Sequence, residues 1–121
     1  MPNRNTASFD HWEQASVFLK AMANPIRLTI LEHLSQGAQC VQDVNQIVDV
    51  SQANLSQHLA ILRKAGLVGC HSNGSLRCYY LLRPSLVKTV LKEMKKDHAE
   101  RPRKRDQVIR EGSQRRERTA S

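Results

Sequence analysis

Residues 51–68, SQANLSQHLAILRKAGLV, constrain the fold more tightly than any other stretch of the chain. Ser51 predicts an N-cap whose hydroxyl takes a backbone N–H of the first turn, with Val50 and Leu55 spaced as a hydrophobic staple. Leu55, Leu59 and Leu62 fall at i, i+4, i+7 and predict one buried stripe. Gln52, Ser56, Gln57, Arg63 and Lys64 lie mostly off that stripe. Gly66 stands where a left-handed residue ends a helix, and Leu67-Val68 then begin a strand. A helix that buries one side and offers Gln, Asn, Ser and His near its N-terminus suits the reading of base edges in a major groove. Any amphipathic core helix with a polar outer face has the same pattern, so the flanking sequence must decide.

The flanks predict five helices and a hairpin. Residues 10–22 place Trp12, Ala15, Leu19 and Met22 on one helical side. Asn24-Pro25 is a strong helix start, with Asn as cap and Pro where its missing N–H costs nothing. Ile26, Ile30, Leu31 and Leu34 continue that helix to Gly37, and Val41, Val44, Ile47 and Val48 predict a short one over 41–48. Two helices joined by the brief Asp49-Val50 turn, the second with a polar outer face, make a helix-turn-helix pattern. Asn73-Gly74 is a hairpin signal between segments able to form strands. The hairpin is predicted to be a β-wing directly behind the reading helix, with Arg77 and the tip HSNGS placed for phosphates or a minor groove. A purely structural hairpin with a solvated tip is the alternative. Pro84 opens a last helix with a seam at Val87, Val90, Leu91 and Met94. Apolar seams on the first and last helices of so small a domain predict burial against a second copy, and a symmetric dimer sets two reading helices about one DNA turn apart.

Charge agrees with a polyanionic partner: Lys+Arg 19 against Asp+Glu 11 gives +8. Residues 95–121 alone carry ten Lys/Arg and five Asp/Glu, net +5, with almost no apolar residue. The predicted organisation is a flexible N-terminus over 1–9, a winged helix-turn-helix domain for DNA binding and dimerisation over 10–96, and a basic, disordered or partly helical tail over 97–121. That tail adds salt-dependent phosphate affinity or serves as a solubilising terminus. There is no 18-residue apolar run for a membrane span and no apolar signal-peptide core at the N-terminus. Three cysteines without a close-spaced pair argue against a secreted disulfide scaffold, and together these features predict a cytoplasmic protein. Catalytic signatures are absent: no Gly-rich phosphate loop, no HExxH, no GxSxG and no paired-carboxylate cluster. A winged helix used only for protein or RNA contact is the alternative from another class. Double-stranded RNA has a major groove that side chains cannot read, and a protein partner calls for an apolar patch beyond the dimer seams.

ANPIRLTILEHL (23–34), SQANLSQHLAILRKAGLV (51–68) and RCYYLL (77–82) together resemble the ArsR/SmtB family of bacterial winged-helix repressors. The resemblance covers roughly residues 10–96. It implies a homodimer that binds double-stranded operator DNA in its free form, needs no cofactor to do so, and leaves the DNA when an effector binds. It also implies that Gln52, Ala53, Ser56 and Gln57 face the bases. Gln52 and Gln57 can then contact adenine bidentately, Ser56 can donate or accept, and the Ala53 methyl can touch thymine. The wider set of candidate DNA contacts adds Ser51, Asn54, His58, Arg63 and Lys64 on the helix and Asn73 and Arg77 on the wing, with His58 turned to the hinge or a phosphate.

The effector is open at this level. Arsenic- and lead-sensing relatives carry Cys-Val-Cys at the start of the third helix, whereas this chain has Cys40-Val41-Gln42, which keeps one thiol and loses the other. The zinc-type Asp-x-His on the last helix is replaced by Arg83 and Ser85, with only His98 near the distal positions. Three thiols remain, Cys40, Cys70 and Cys78. A three-residue loop at Asn73-Gly74-Ser75 sets Cys70 opposite Cys78, while a two-residue loop at Asn73-Gly74 turns them to different faces. In winged-helix folds the segment before the third helix pairs with the second wing strand, which brings Cys40 toward Cys78. Converging thiolates can hold As(III) or another thiophilic ion as inducer, and a pair can oxidise as a redox or reactive-sulfur sensor. Cys40 at a helix N-terminus is predicted to have a lowered pKa. Inert, packed thiols with an unknown ligand or none are the third reading. His71 beside Cys70 can join a wing site or simply be an exposed hairpin residue.

Overall fold

The computed structural model describes residues 4–120. Its elements run α1 (Arg4–Met22), α2 (Pro25–Leu34), β1 (Gln39–Cys40), α3 (Val41–Ile47), α4 (Gln52–Lys64), β2 (Val68–Asn73), β3 (Leu76–Leu81), α5 (Pro84–Met94) and α6 (Arg105–Ala120). The three strands form one antiparallel sheet in the order β1-β3-β2. This is a winged helix-turn-helix: mainly helical, with α3 and α4 as the helix pair and β2–β3 as the wing.

Local chemistry sets most boundaries. Asn24 caps α2, its Oδ1 accepting from the N–H of Ile26 at 2.9 Å and of Arg27 at 3.2 Å. Ser51 caps α4 by accepting from the N–H of Asn54 at 3.2 Å. At the other end of α4, Gly66 has φ +83°; its N–H donates to the carbonyl of Arg63 and that of Leu67 to the carbonyl of Leu62, both at 3.0 Å. This is a complete Schellman closure, and it delivers Leu67 and Val68 into the core.

The core gathers Ile30, Leu31 and Leu34 of α2, Val44 of α3, Leu55, Leu59 and Leu62 of α4, Val68 and Tyr79 of the wing, and Val87 of α5. The three leucines of α4 are fully buried, as their spacing predicts. Burial of about 1.5–3 kcal/mol per such side chain holds α4 by one face and leaves the opposite face to solvent.

Two expectations are corrected. The wing turns on Gly74-Ser75, not on Asn73-Gly74 or Asn73-Gly74-Ser75: Asn73 pairs with Leu76 and Cys70 with Tyr79. Gly74 has φ +63°, and no non-glycine residue among those described has a positive φ. That suits a turn with glycine at its first central position, whereas an Asn73-Gly74 turn of the primed type requires positive φ at Asn73 too. This register also puts the buried Val68 and Tyr79 on the same side of the sheet, toward the core.

Second, α1 begins at Arg4, inside the segment expected to be a flexible N-terminus over 1–9; residues 1–3 lie outside the described residues. The tail over 97–121, expected to be disordered or partly helical, carries helix α6, exposed along its described length. Asp106 in its first turn and Arg118 in its last complement the helix dipole, and Arg103 pairs with Glu111 across the start of the helix. Arg, Gln and Glu, all good helix formers, make up more than half of α6.

Candidate nucleic-acid interface

The leucine stripe of α4 fixes which side chains look outward. Gln52, Ala53, Asn54, Ser56 and Gln57 are all exposed in the first two turns, next to the exposed cap Ser51. Arg63 and Lys64 are exposed in its last turn. The helix contains no acidic residue, so nothing on it repels a phosphate. On the wing, Asn73 and Arg77 are exposed near the tip, and Arg77 pairs in register with Ser72.

His58 departs from this set. It is half-buried, and its Nδ1 accepts from Arg27 Nη1 at 3.1 Å, while Arg27 Nε donates to the carbonyl of Ala21 at 2.5 Å. Burial first, and the Arg27 charge second, lower its pKa below the usual histidine value. His58 thus ties the reading helix to α2 and the end of α1. Its Nδ1 is turned inward and is not available to a phosphate.

Next to the amide face of α4 lie residues that the sequence did not single out. Gln42, Asn45 and Gln46 of α3 line a cleft of about 300 Å³ with Gln52 and Leu55 of α4. The first helix of such a pair crosses the DNA backbone, where exposed amides can meet phosphate oxygens. Their signal was the i, i+3, i+4 spacing of polar amides on the outer side of α3.

The cysteines separate into a pair and a single. Cys40 pairs with Cys78 across β1 and β3, and their Sγ atoms lie 2.8 Å apart. Cys70 faces Tyr79 and packs against the core from the opposite side of the sheet. The expected convergence of Cys40, Cys70 and Cys78 on one ion is therefore not formed. Among the described residues no group of three or more His, Cys, Asp or Glu side chains is arranged to hold a metal.

His71 stands opposite Cys78 in register but stacks on Tyr80, with centroids 5.3 Å apart and planes 6° from parallel. Tyr80 in turn lies over Gly69, where an added Cβ would come within 2.6 Å of the ring. The Cys40 thiol is pushed up to about 11 by its hydrogen bond with Cys78, then by burial and by the negative charges of Cys78 and Asp43. This corrects the expectation of a lowered pKa: the neighbouring sulfur, burial and Asp43 all push it upward.

No helix among the described residues is long and apolar enough to cross a membrane. Residues 24–69, from the cap of α2 into β2, match the family described as bacterial regulatory protein, arsR family. An uncharacterised HTH-type transcriptional regulator of Methanocaldococcus jannaschii is 34% identical over 84 residues, 69% of this chain and 93% of that protein. The transcriptional activator HlyU of Vibrio cholerae is 40% identical over 78 residues, 64% of this chain and 71% of HlyU. Its solved structure in the reduced form superposes with a TM-score of 0.66 at 35% identity, covering 73% of this chain and 92% of that one. The HTH-type transcriptional repressor SmtB of Mycobacterium tuberculosis is 34% identical over 79 residues, 65% of this chain and 58% of SmtB. With its helix pair, wing and outward amides in this arrangement, the chain belongs to the arsR family of DNA-binding transcriptional regulators.

Proposed function

We propose that this regulator is an operator-binding repressor that acts as a homodimer in the cytoplasm and leaves its DNA when a thiol-reactive effector engages Cys40 and Cys78. The observation that carries the DNA-binding part is the outward N-terminal face of α4, an acid-free run of amides and hydroxyls held rigidly by three buried leucines. Gln52, Ala53, Ser56 and Gln57 are its base-reading residues, with Ser51, Asn54, Arg63, Lys64, Asn73 and Arg77 on phosphates or groove edges. A second copy is supported by Phe9, Trp12 and Leu19 on α1 and Met94 on α5, which are 63%, 64%, 59% and 62% exposed. Exposed aromatic and aliphatic side chains on α1 and α5 are the kind of surface that a second copy covers.

Arsenite or another thiophilic ion remains the inducer proposed for the thiols, now through two sulfurs, since the sheet turns Cys70 away from the others. Fluorescence anisotropy of the reduced protein on the DNA upstream of its own gene tests this reading. Tight, sequence-selective binding is expected, with release by arsenite that is lost in Cys40→Ser and Cys78→Ser but kept in Cys70→Ser. Equal affinity for operator and scrambled DNA would remove the repressor assignment. Release that persists without Cys40 and Cys78 would move the effector site elsewhere.

A further inference from the structure

The wing strand that carries Arg77 toward DNA also carries, one residue on, a sulfur in contact with the residue that starts α3. Cys40 is both the last residue of β1 and the N-cap of α3, with extended backbone (φ −77°, ψ 152°) and no capping hydrogen bond from its side chain. Cys78 is its cross-strand partner. Both are half-buried free thiols. Their Sγ separation of 2.8 Å is far inside the ordinary contact distance of two sulfurs. An S–S bond measures about 2.05 Å, so small side-chain rotations suffice to close the gap. The same side of the sheet holds His71 and Tyr80, stacked on each other at the outer surface, away from the core face that takes Val68, Cys70 and Tyr79.

We infer that Cys40 and Cys78 form a reversible disulfide that staples β1 to the wing, made by thiol–disulfide exchange with a low-molecular-weight disulfide, and that its closure weakens operator binding. The chemistry is the geometry's own, while the effect on DNA rests on the operator-binding function proposed above. Either sulfur can be the donor in their shared hydrogen bond and either can begin the exchange, Cys78 being the one taken first below. In the first step the Cys78 thiolate attacks one sulfur of the oxidant RSSR, forming Cys78–S–S–R and expelling RS⁻. In the second, Cys40 gives up its proton and attacks the Cys78 sulfur, expelling the second RS⁻. The protein loses two hydrogens as the protein disulfide forms, and the oxidant leaves as two RSH, so the exchange is a balanced two-electron oxidation of the dithiol.

Closure reaches the DNA-binding surface by two short paths. From Cys40 the chain runs through α3 to the Ser51 cap of α4, and from Cys78 the next residue is Arg77. Closing the bond removes the freedom of the wing to move against the helix pair, and a dimer that must fit two half-sites at once draws on that freedom.

The full chain, reduced and then equilibrated with oxidised glutathione, provides the test. Peptide mass mapping should find Cys40 linked to Cys78, reversed by dithiothreitol, with Cys70 free. Cys70→Ser should bridge normally, and Cys40→Ser should stop at a glutathione adduct on Cys78. Operator affinity by anisotropy should fall at least tenfold on bridging in wild type and Cys70→Ser, and recover on reduction. Glutathione adducts without a bridge, or a bridge that uses Cys70, would overturn the proposal. A Cys40–Cys78 bridge with unchanged operator affinity would overturn its regulatory half. Failure of the reduced protein to select any operator would instead remove the repressor function and leave the bridge to be judged by mass mapping alone.

Discussion

Gln57 and His58 are neighbours on α4 in opposite surroundings. Gln57 is exposed on the outward face, and its amide suits a bidentate contact to adenine. Gln57→Ala is therefore expected to cost about 1–3 kcal/mol on the operator. Affinity for random DNA should stay unchanged, and an equal loss on both would contradict a base-reading role. His58 faces Arg27 and is neutral at physiological pH because burial and that guanidinium disfavour its charge. A histidine whose folded pKa lies below its unfolded value near 6.5 contributes stability that is present above that value. The contribution is lost as pH falls through the lowered folded pKa, because the unfolded chain takes up the proton first. Thermal melts at pH 7.5 and 5.0 should show a larger drop for wild type than for His58→Gln, which cannot titrate. Parallel drops in the two proteins would sink this coupling.

At the scale of elements, α4 is fixed at both ends by backbone chemistry and along its length by leucines. Loss of the Ser51 hydroxyl strands the N–H of Asn54, and Ser51→Ala is expected to lower stability by about 1 kcal/mol in urea unfolding. An unchanged midpoint would mean that water replaces the cap at no cost. Arg77 on β3 is a cation that suits a phosphate, so Arg77→Ala should weaken all DNA sequences alike. It should also flatten the slope of log affinity against log salt by about one. A shift in base preference instead would show that the wing reads sequence. The helix α6 has no core face, and the charge pattern that stabilises it along its own axis is local to residues 103–118.

For the whole molecule, the uncovered residues of α1 and α5 set the expected assembly. Trp12→Asp with Leu19→Asp places two charges where a second copy is expected to pack, yet both positions are exposed within one chain and should leave its fold intact. Sedimentation velocity should move from dimer to monomer with an unchanged circular dichroism spectrum, and operator binding should weaken as the second half-site is lost. A dimer that survives both substitutions would place the interface elsewhere.

Where the determining interactions were local, the residues alone specified the structure: the caps at Asn24 and Ser51, the Leu55-Leu59-Leu62 stripe, the Gly66 closure, and with them the helix pair and the outward amides. These depend on neighbours within one or two turns, which sequence spacing encodes directly. The approach of Cys40 to Cys78 was legible only through the expected pairing of the segment before α3 with the wing. Tertiary structure decided the rest. The wing register followed from which of Val68, Tyr79 and Tyr80 the core could bury, and that choice turned Cys70 away from the other thiols. His58 was taken from the DNA surface by Arg27, 31 residues earlier in the chain. The Cys40 pKa is raised by a sulfur 38 positions away in the chain. A one-residue slip in a hairpin exchanges the two faces of a strand at almost no local cost, so only the packed core can choose between them.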